Sequence, residues 1–139
     1  MASIFIDTNI VIDLLAKREP FYKAAQDLFT FGDREKEIVL QISSLTFANA
    51  YYSISKHHKS AEAKKYLSKF KVLVNILPLD DKVIELALAS DFEDFEDGLQ
   101  YFIAIDHQAD LIITRNKKDF KKSSIPVMTA DEYIKSRSF

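Results

Sequence analysis

The sequence predicts an α/β protein in which a central, mostly parallel sheet of four to five strands lies between two layers of helices. Three observations predict it. Short apolar runs rich in Ile, Val and Leu recur at residues 4–6, 38–42, 72–77 and 111–113, as strands buried on both faces do. The first three runs are each followed by a longer stretch with helical apolar spacing, and alternating strand and helix builds a parallel sheet. The chain holds only Gly 2 and Pro 3. That favours helices with short connections and excludes a glycine-rich phosphate loop.

Ile4-Phe5-Ile6 is the first strand, and it stops on Asp7, where a helix begins near Thr8-Asn9 and continues to Leu15. Taken alone, Asp7 reads most plainly as a helix cap. Lys17 to Pro20 ends that helix, because the residue before proline is pushed out of helical geometry. Pro20 starts a second helix with Phe21, Ala24, Ala25, Leu28 and Phe29 on one face, and Gly32 is its expected stop. Ile38–Ile42 is the second strand. Ser43 or Ser44 caps the third helix, which carries Asn49 one turn in, over the carboxyl edge of the sheet. Residues 60–70 form a fourth helix; its lysines, with Lys56 and Lys59, are the one basic stretch, read as a solvated face. The expected third strand is 72–77, followed by a helix capped by Asp80 or Asp81.

Asp91 to Asp97 is unusual: five of its seven residues are acids, interleaved with Phe92 and Phe95. The aromatics are expected to pin this run to the core and hold its carboxylates together ahead of a long helix. Leu111–Ile113 is the fourth strand, with Thr114, Asn116 and Asp119 after it. Ile125–Met128 is a short edge strand, where proline is tolerated, and Thr129 or Asp131 caps a last helix.

Composition narrows the classes. A chain of 139 residues, 47% hydrophobic and 29% charged, is read as one folded domain over residues 1–139. It shows neither a bilayer-length apolar run nor a secretory leader. With Cys 0 it has no thiolate site, which fits a cytoplasmic location. A net charge of −2 gives no global basic field, so a nucleic-acid substrate needs a local basic surface or a bridging cation.

Asp7, Asn49, Asp97, Asn116 and Asp119 all fall just after strands or early in the following helices, and such positions converge at one end of a doubly wound sheet. Oxygen donors without His or Cys suit a hard ion, Mg²⁺ or Mn²⁺, which can activate water and polarise a phosphoryl oxygen. The chemistry implied is phosphodiester hydrolysis.

These pieces resemble a PIN domain: Ile6-Asp7-Thr8-Asn9, Ile42-Ser43-Ser44-Leu45, Phe95-Glu96-Asp97 with Ala104, Ile113 through Phe120, and Ile125-Pro126-Val127, in order over nearly the whole chain. The resemblance implies a three-layer α/β/α fold and a metal-dependent endoribonuclease. It also implies the toxin of a toxin–antitoxin pair, homodimeric and held inactive by a partner protein. It assigns Asp7 and Asp97 as metal-binding acids, with Asp119, Asn116 and Asn49 orienting waters or a second ion. Thr8, Asn9, Glu96 and Thr114 would support them. The departure is Asn49, which stands where the family usually has an acid and offers a neutral oxygen instead. A degenerate RNA- or protein-binding module on the same fold is therefore the alternative. Phosphoacceptor and aspartyl-phosphatase folds fit less well, since strand one ends in Asp7-Thr8-Asn9, without paired acids or Asp-x-Asp.

Overall fold

The computed structural model describes residues 1–137. Five strands form one sheet: β1 (Ala2–Ile6), β2 (Ile38–Ser43), β3 (Asn75–Leu77), β4 (Leu111–Ile113) and β5 (Val127–Met128). Their order is β3-β2-β1-β4-β5, and every neighbouring pair runs parallel. β1 is central, with Ile4 opposite both Leu40 and Leu111. The helices are α1 (Thr8–Leu15), α2 (Tyr22–Arg34), α3 (Ser44–Ile54), α4 (Ser60–Lys71), α5 (Asp81–Leu88), α6 (Phe95–Asp106) and α7 (Ala130–Ser136). A single 3-10 turn spans Lys117–Phe120.

The side-chain alternation of β1 divides the interior into two cores. Ile4 and Ile6 point into one, with Ile10, Val11, Leu28, Phe29, Ile54, Phe70 and Tyr133 from α1, α2, α3, α4 and α7. Phe5 points into the other, with Val83, Leu99, Ile103, Ile112 and Phe120 from α5, α6, β4 and the 3-10 turn. Those are the two helical layers around the sheet. Strand order reverses at β1, because the chain moves outward to β2 and β3 and then returns to β4. A crevice therefore opens beyond the carboxyl ends of β1 and β4.

At α3, α5 and α7 the caps are Ser43, Asp80 and Thr129, each accepting from the backbone N–H three residues on. Several boundaries differ from the sequence expectation. Gly32 does not stop α2, which runs on to Arg34. A Cβ on Gly32 would lie 2.4 Å from Leu40 Cδ1, so the glycine serves close helix–sheet packing instead of a turn. The third strand is shorter, starting at Asn75, not Val72. α4 extends to Lys71, Val72 is left 84% exposed, and Leu73 N bonds back to Phe70 O at 2.9 Å. Lacking a buried face, Val72 has no reason to extend. β5 keeps only Val127 and Met128, although Pro126 O still accepts from Ile112 N at 2.9 Å. Finally, α2 begins at Tyr22, two residues after Pro20.

Candidate active site

Asp7 follows the last residue of β1, and its N–H donates to Ile113 O at 2.9 Å, tying β1 to the end of β4. It caps α1, accepting at Oδ1 from Thr8 N at 2.9 Å, but it does more than cap. Thr114 Oγ1 donates to its Oδ2 at 2.8 Å, and Gln100 Nε2 approaches Oδ1 at 3.4 Å. The residue is 6% exposed. Burial pushes its carboxyl above the usual range, while the bonds from Thr114, Thr8 and Gln100 pull it back.

The acidic segment brings further carboxylates to the same edge. Asp94 caps α6, accepting from Glu96 N at 2.8 Å and Asp97 N at 3.2 Å. That turns the first helical turn so that Asp97 is partly buried in the crevice. Burial first, then the charges of Asp7, Asp94, Asp119 and Glu96, raise the Asp97 carboxyl to about 7. Glu96 is raised by burial and by Asp94 and Asp7, and lowered by Asn49, whose Nδ2 donates to its Oε1 at 3.3 Å. Of the two aromatics, Phe92 alone anchors the segment, its ring 5.1 Å from that of Tyr101 and 6.4 Å from that of Phe120. Phe95 is 45% exposed, so the pinning expected of both aromatics falls on one.

A cleft of about 260 Å³ lies between this segment and the 3-10 turn, lined by Asp94, Asp97, Asp119, Lys118, Lys121 and Lys122 among others. Asp7, Asp97 and Asp119, scattered along the chain, thus share one electrostatic neighbourhood. Glu96 and Asn49 adjoin it. Thr8 and Thr114 contact Asp7 directly. The remaining two candidates are placed differently. Asn116 is exposed, and only its backbone is engaged, its N–H with Thr114 Oγ1 at 3.3 Å and its carbonyl accepting from Asp119 N at 3.2 Å. Asn9 contributes its carbonyl to Arg18 Nη2 at 3.3 Å. Among the described residues, neither amide side chain is hydrogen-bonded to an acid.

Sequence reasoning passed over several buried polar residues, Gln100, Asp13 and Thr46 among them. Gln100 is fully buried and sits three residues after Asp97 on an otherwise apolar helix face, which was the available signal. Asp13, also fully buried, is an acid inside the apolar run of α1. Arg18 Nε meets its Oδ1 at 2.9 Å, and Arg115 Nε stands 3.7 Å from its Oδ2. Arg115 in turn lies over the Phe21 ring, 4.1 Å from its centroid. This pairing ties α1 and the loop after β4 together behind Asp7.

Among the described residues no three acidic or histidine side chains are gathered as a ready ligand cage. The donors are nevertheless all oxygen, and two carboxylates with several retained waters suffice for Mg²⁺ or Mn²⁺. Crowded like charges also need a cation to be held together. The residues fit such an ion.

An all-parallel sheet between helical layers, with carboxylates crowded at its switch point, defines a class of α/β/α domain that works at the carboxyl edge of the sheet. The PIN domain family model matches residues 3–118, and the chain belongs to that family. It is 33% identical over 138 residues to Ribonuclease VapC1 of Aquifex aeolicus, covering 94% of this chain and 92% of that one. A toxin–antitoxin complex from Klebsiella pneumoniae is similar at 26% identity and TM-score 0.66, covering 91% of this chain and 97% of that one. VapBC-1 from nontypeable Haemophilus influenzae, at 17% identity, shares the fold with TM-score 0.71, covering 93% of this chain and 98% of that one.

Proposed function

We propose that this chain is a divalent-metal-dependent endoribonuclease and the toxin of a toxin–antitoxin pair. The observation that carries the reading is convergence: Asp97 from the first turn of α6 and Asp119 from the 3-10 turn line one cleft, and Asp7 from the end of β1 lies close enough for its charge to act on Asp97 and that of Asp119 to act on it. The ribonuclease relative from Aquifex aeolicus supports the RNA substrate, and the complex from Klebsiella pneumoniae supports a protein antitoxin.

Bound Mg²⁺ or Mn²⁺ would polarise a phosphoryl oxygen and lower the pKa of a water. Asp7 and Asp97 would hold the ion, and Asp119, with Asn116 and Asn49, would orient waters beside it. Thr114 and the Thr8 N–H fix the two oxygens of Asp7, which holds the carboxylate in one orientation. Lys118, Lys121 and Lys122 face the same cleft and take the phosphates flanking the scissile bond, which a chain of net charge −2 does not attract globally. A homodimer in solution completes the proposal.

One observation favours a second reading, a binding module on the same fold. Asn49 brings an amide where a carboxylate would add charge, and it spends that amide on Glu96. Cleavage of single-stranded and structured RNAs separates the two readings. We expect products with Mn²⁺, none with chelator, and none with Asp7→Asn. Products in all three reactions, or in none, would sink the nuclease reading.

A further inference from the structure

The side chain of Gln100 is fully buried, and its two halves have opposite fates. Nε2 lies 2.8 Å from Thr8 Oγ1, 2.9 Å from Thr46 Oγ1 and 3.4 Å from Asp7 Oδ1. Oε1 has no hydrogen-bond partner among the described residues. A buried carbonyl left unpaired destabilises a fold, so its presence calls for an explanation. Exchanging nitrogen and oxygen gives no relief. The carbonyl would then face the carboxylate of Asp7, and the amide protons would have no acceptor.

We propose that Gln100 is a positioning residue for Asp7; this rests on the metal-site reading above. Gln100 joins three helix starts. Thr8 opens α1, Thr46 lies in the first turn of α3 and Gln100 in the second turn of α6. Thr8 Oγ1 and Thr46 Oγ1 are 2.6 Å apart, and Ser43 Oγ, the cap of α3, donates to Thr46 Oγ1 at 3.1 Å. The shortest amide contact is to Thr8, whose own N–H holds Asp7 Oδ1. Gln100 therefore fixes Asp7 chiefly through Thr8 and adds a weaker direct contact. It also sets the distance between Asp7 and Asp97, because Asp97 is three residues before it on the same helix. Those are the two acids that would hold the ion.

The role is separable from packing. Gln100→Met keeps the length and removes the donor together with the orphaned acceptor, so relief of the unpaired Oε1 offsets the lost amide contacts to Thr8 and Thr46. Calorimetric Mn²⁺ titration and thermal unfolding of the metal-free protein are read together, with Gln100→Leu as a second variant. The expected result is an unchanged or higher Tm with Mn²⁺ affinity lowered about tenfold to a hundredfold. Wild-type affinity in either folded variant overturns the proposal. So does a lower Tm in both variants, which assigns Gln100 to the core. A wild-type protein that does not bind Mn²⁺ removes the metal-site reading itself, a distinguishable failure.

Discussion

Thr114 Oγ1 donates to Asp7 Oδ2 at 2.8 Å across 107 positions of sequence. Both residues sit at strand ends, Asp7 after β1 and Thr114 after β4, and parallel pairing of Ile6 with Ile113 puts them side by side. Thr114 is fully buried, so the bond is shielded from water. Thr114→Val keeps the shape and leaves Asp7 Oδ2 unsatisfied. The variant should lose about 1–3 kcal/mol and bind Mn²⁺ more weakly. Urea unfolding checks the first claim; an unchanged midpoint would show that the bond contributes nothing.

The raised Asp97 carboxyl predicts a pH-dependent stability in the absence of metal. Its ordinary value is 3.8, and the folded protein lifts it to about 7. Between those values the native state keeps a proton that the unfolded chain has lost. Stability is therefore greatest below about pH 4 and falls as pH rises through about 7. Asp7 and Glu96 are raised too, so their contributions have the same sign. Asp97→Asn should flatten the fall and raise the Tm of the metal-free protein at pH 8, while abolishing cleavage. Melting curves from pH 5 to 8 decide it, and parallel profiles for the two proteins contradict the crowding of charge described here.

Lysines on and just after the 3-10 turn should govern salt dependence. Lys117 is occupied with Glu132 at 2.9 Å, whereas Lys118 and Lys121 form no ion pair among the described residues and line the acidic cleft. Replacing both with alanine should weaken RNA binding at all sequences alike. The slope of log affinity against log salt should fall by ~0.7 for each phosphate of a single strand that a lysine no longer neutralises. Filter binding with Asp7→Asn as background, to prevent cleavage, gives the slope. If only the basic helix face at Lys64, Lys65 and Lys69 changes it, the RNA lies elsewhere.

Gly32 offers a test of the fold alone. Gly32→Ala gains helix propensity of up to ~1 kcal/mol but drives a methyl into Leu40, whose Cγ would be 2.8 Å away. Overpacking in a buried core costs about 1–3 kcal/mol, and Leu40 is 2% exposed, so the variant should be destabilised. Adding Leu40→Val should recover part of the loss. Additive losses in the double variant would mean that the two positions do not touch.

The amino-acid order alone determined the architecture. Apolar runs separated by amphipathic stretches leave little choice but a parallel sheet between helices, and Ser43, Asp80 and Thr129 announce their helices by local chemistry. Asp7 alone reads as a helix cap and Asp97 as one of several acids before a helix; the ordered resemblance singled them out, and the structure sets them in one electrostatic neighbourhood. Element ends were less legible: Val72 and Gly32 look like strand and stop until Leu40 and the solvent boundary are placed around them. What only the tertiary structure decided is which polar side chains meet. Gln100, Thr46 and Thr8 are far apart in sequence, and Asp13 finds Arg115 across 102 positions. A hydrogen bond between distant residues has no period and leaves no mark on the sequence around either partner. It exists once the sheet order brings β1 beside β4 and the starts of three helices onto one edge.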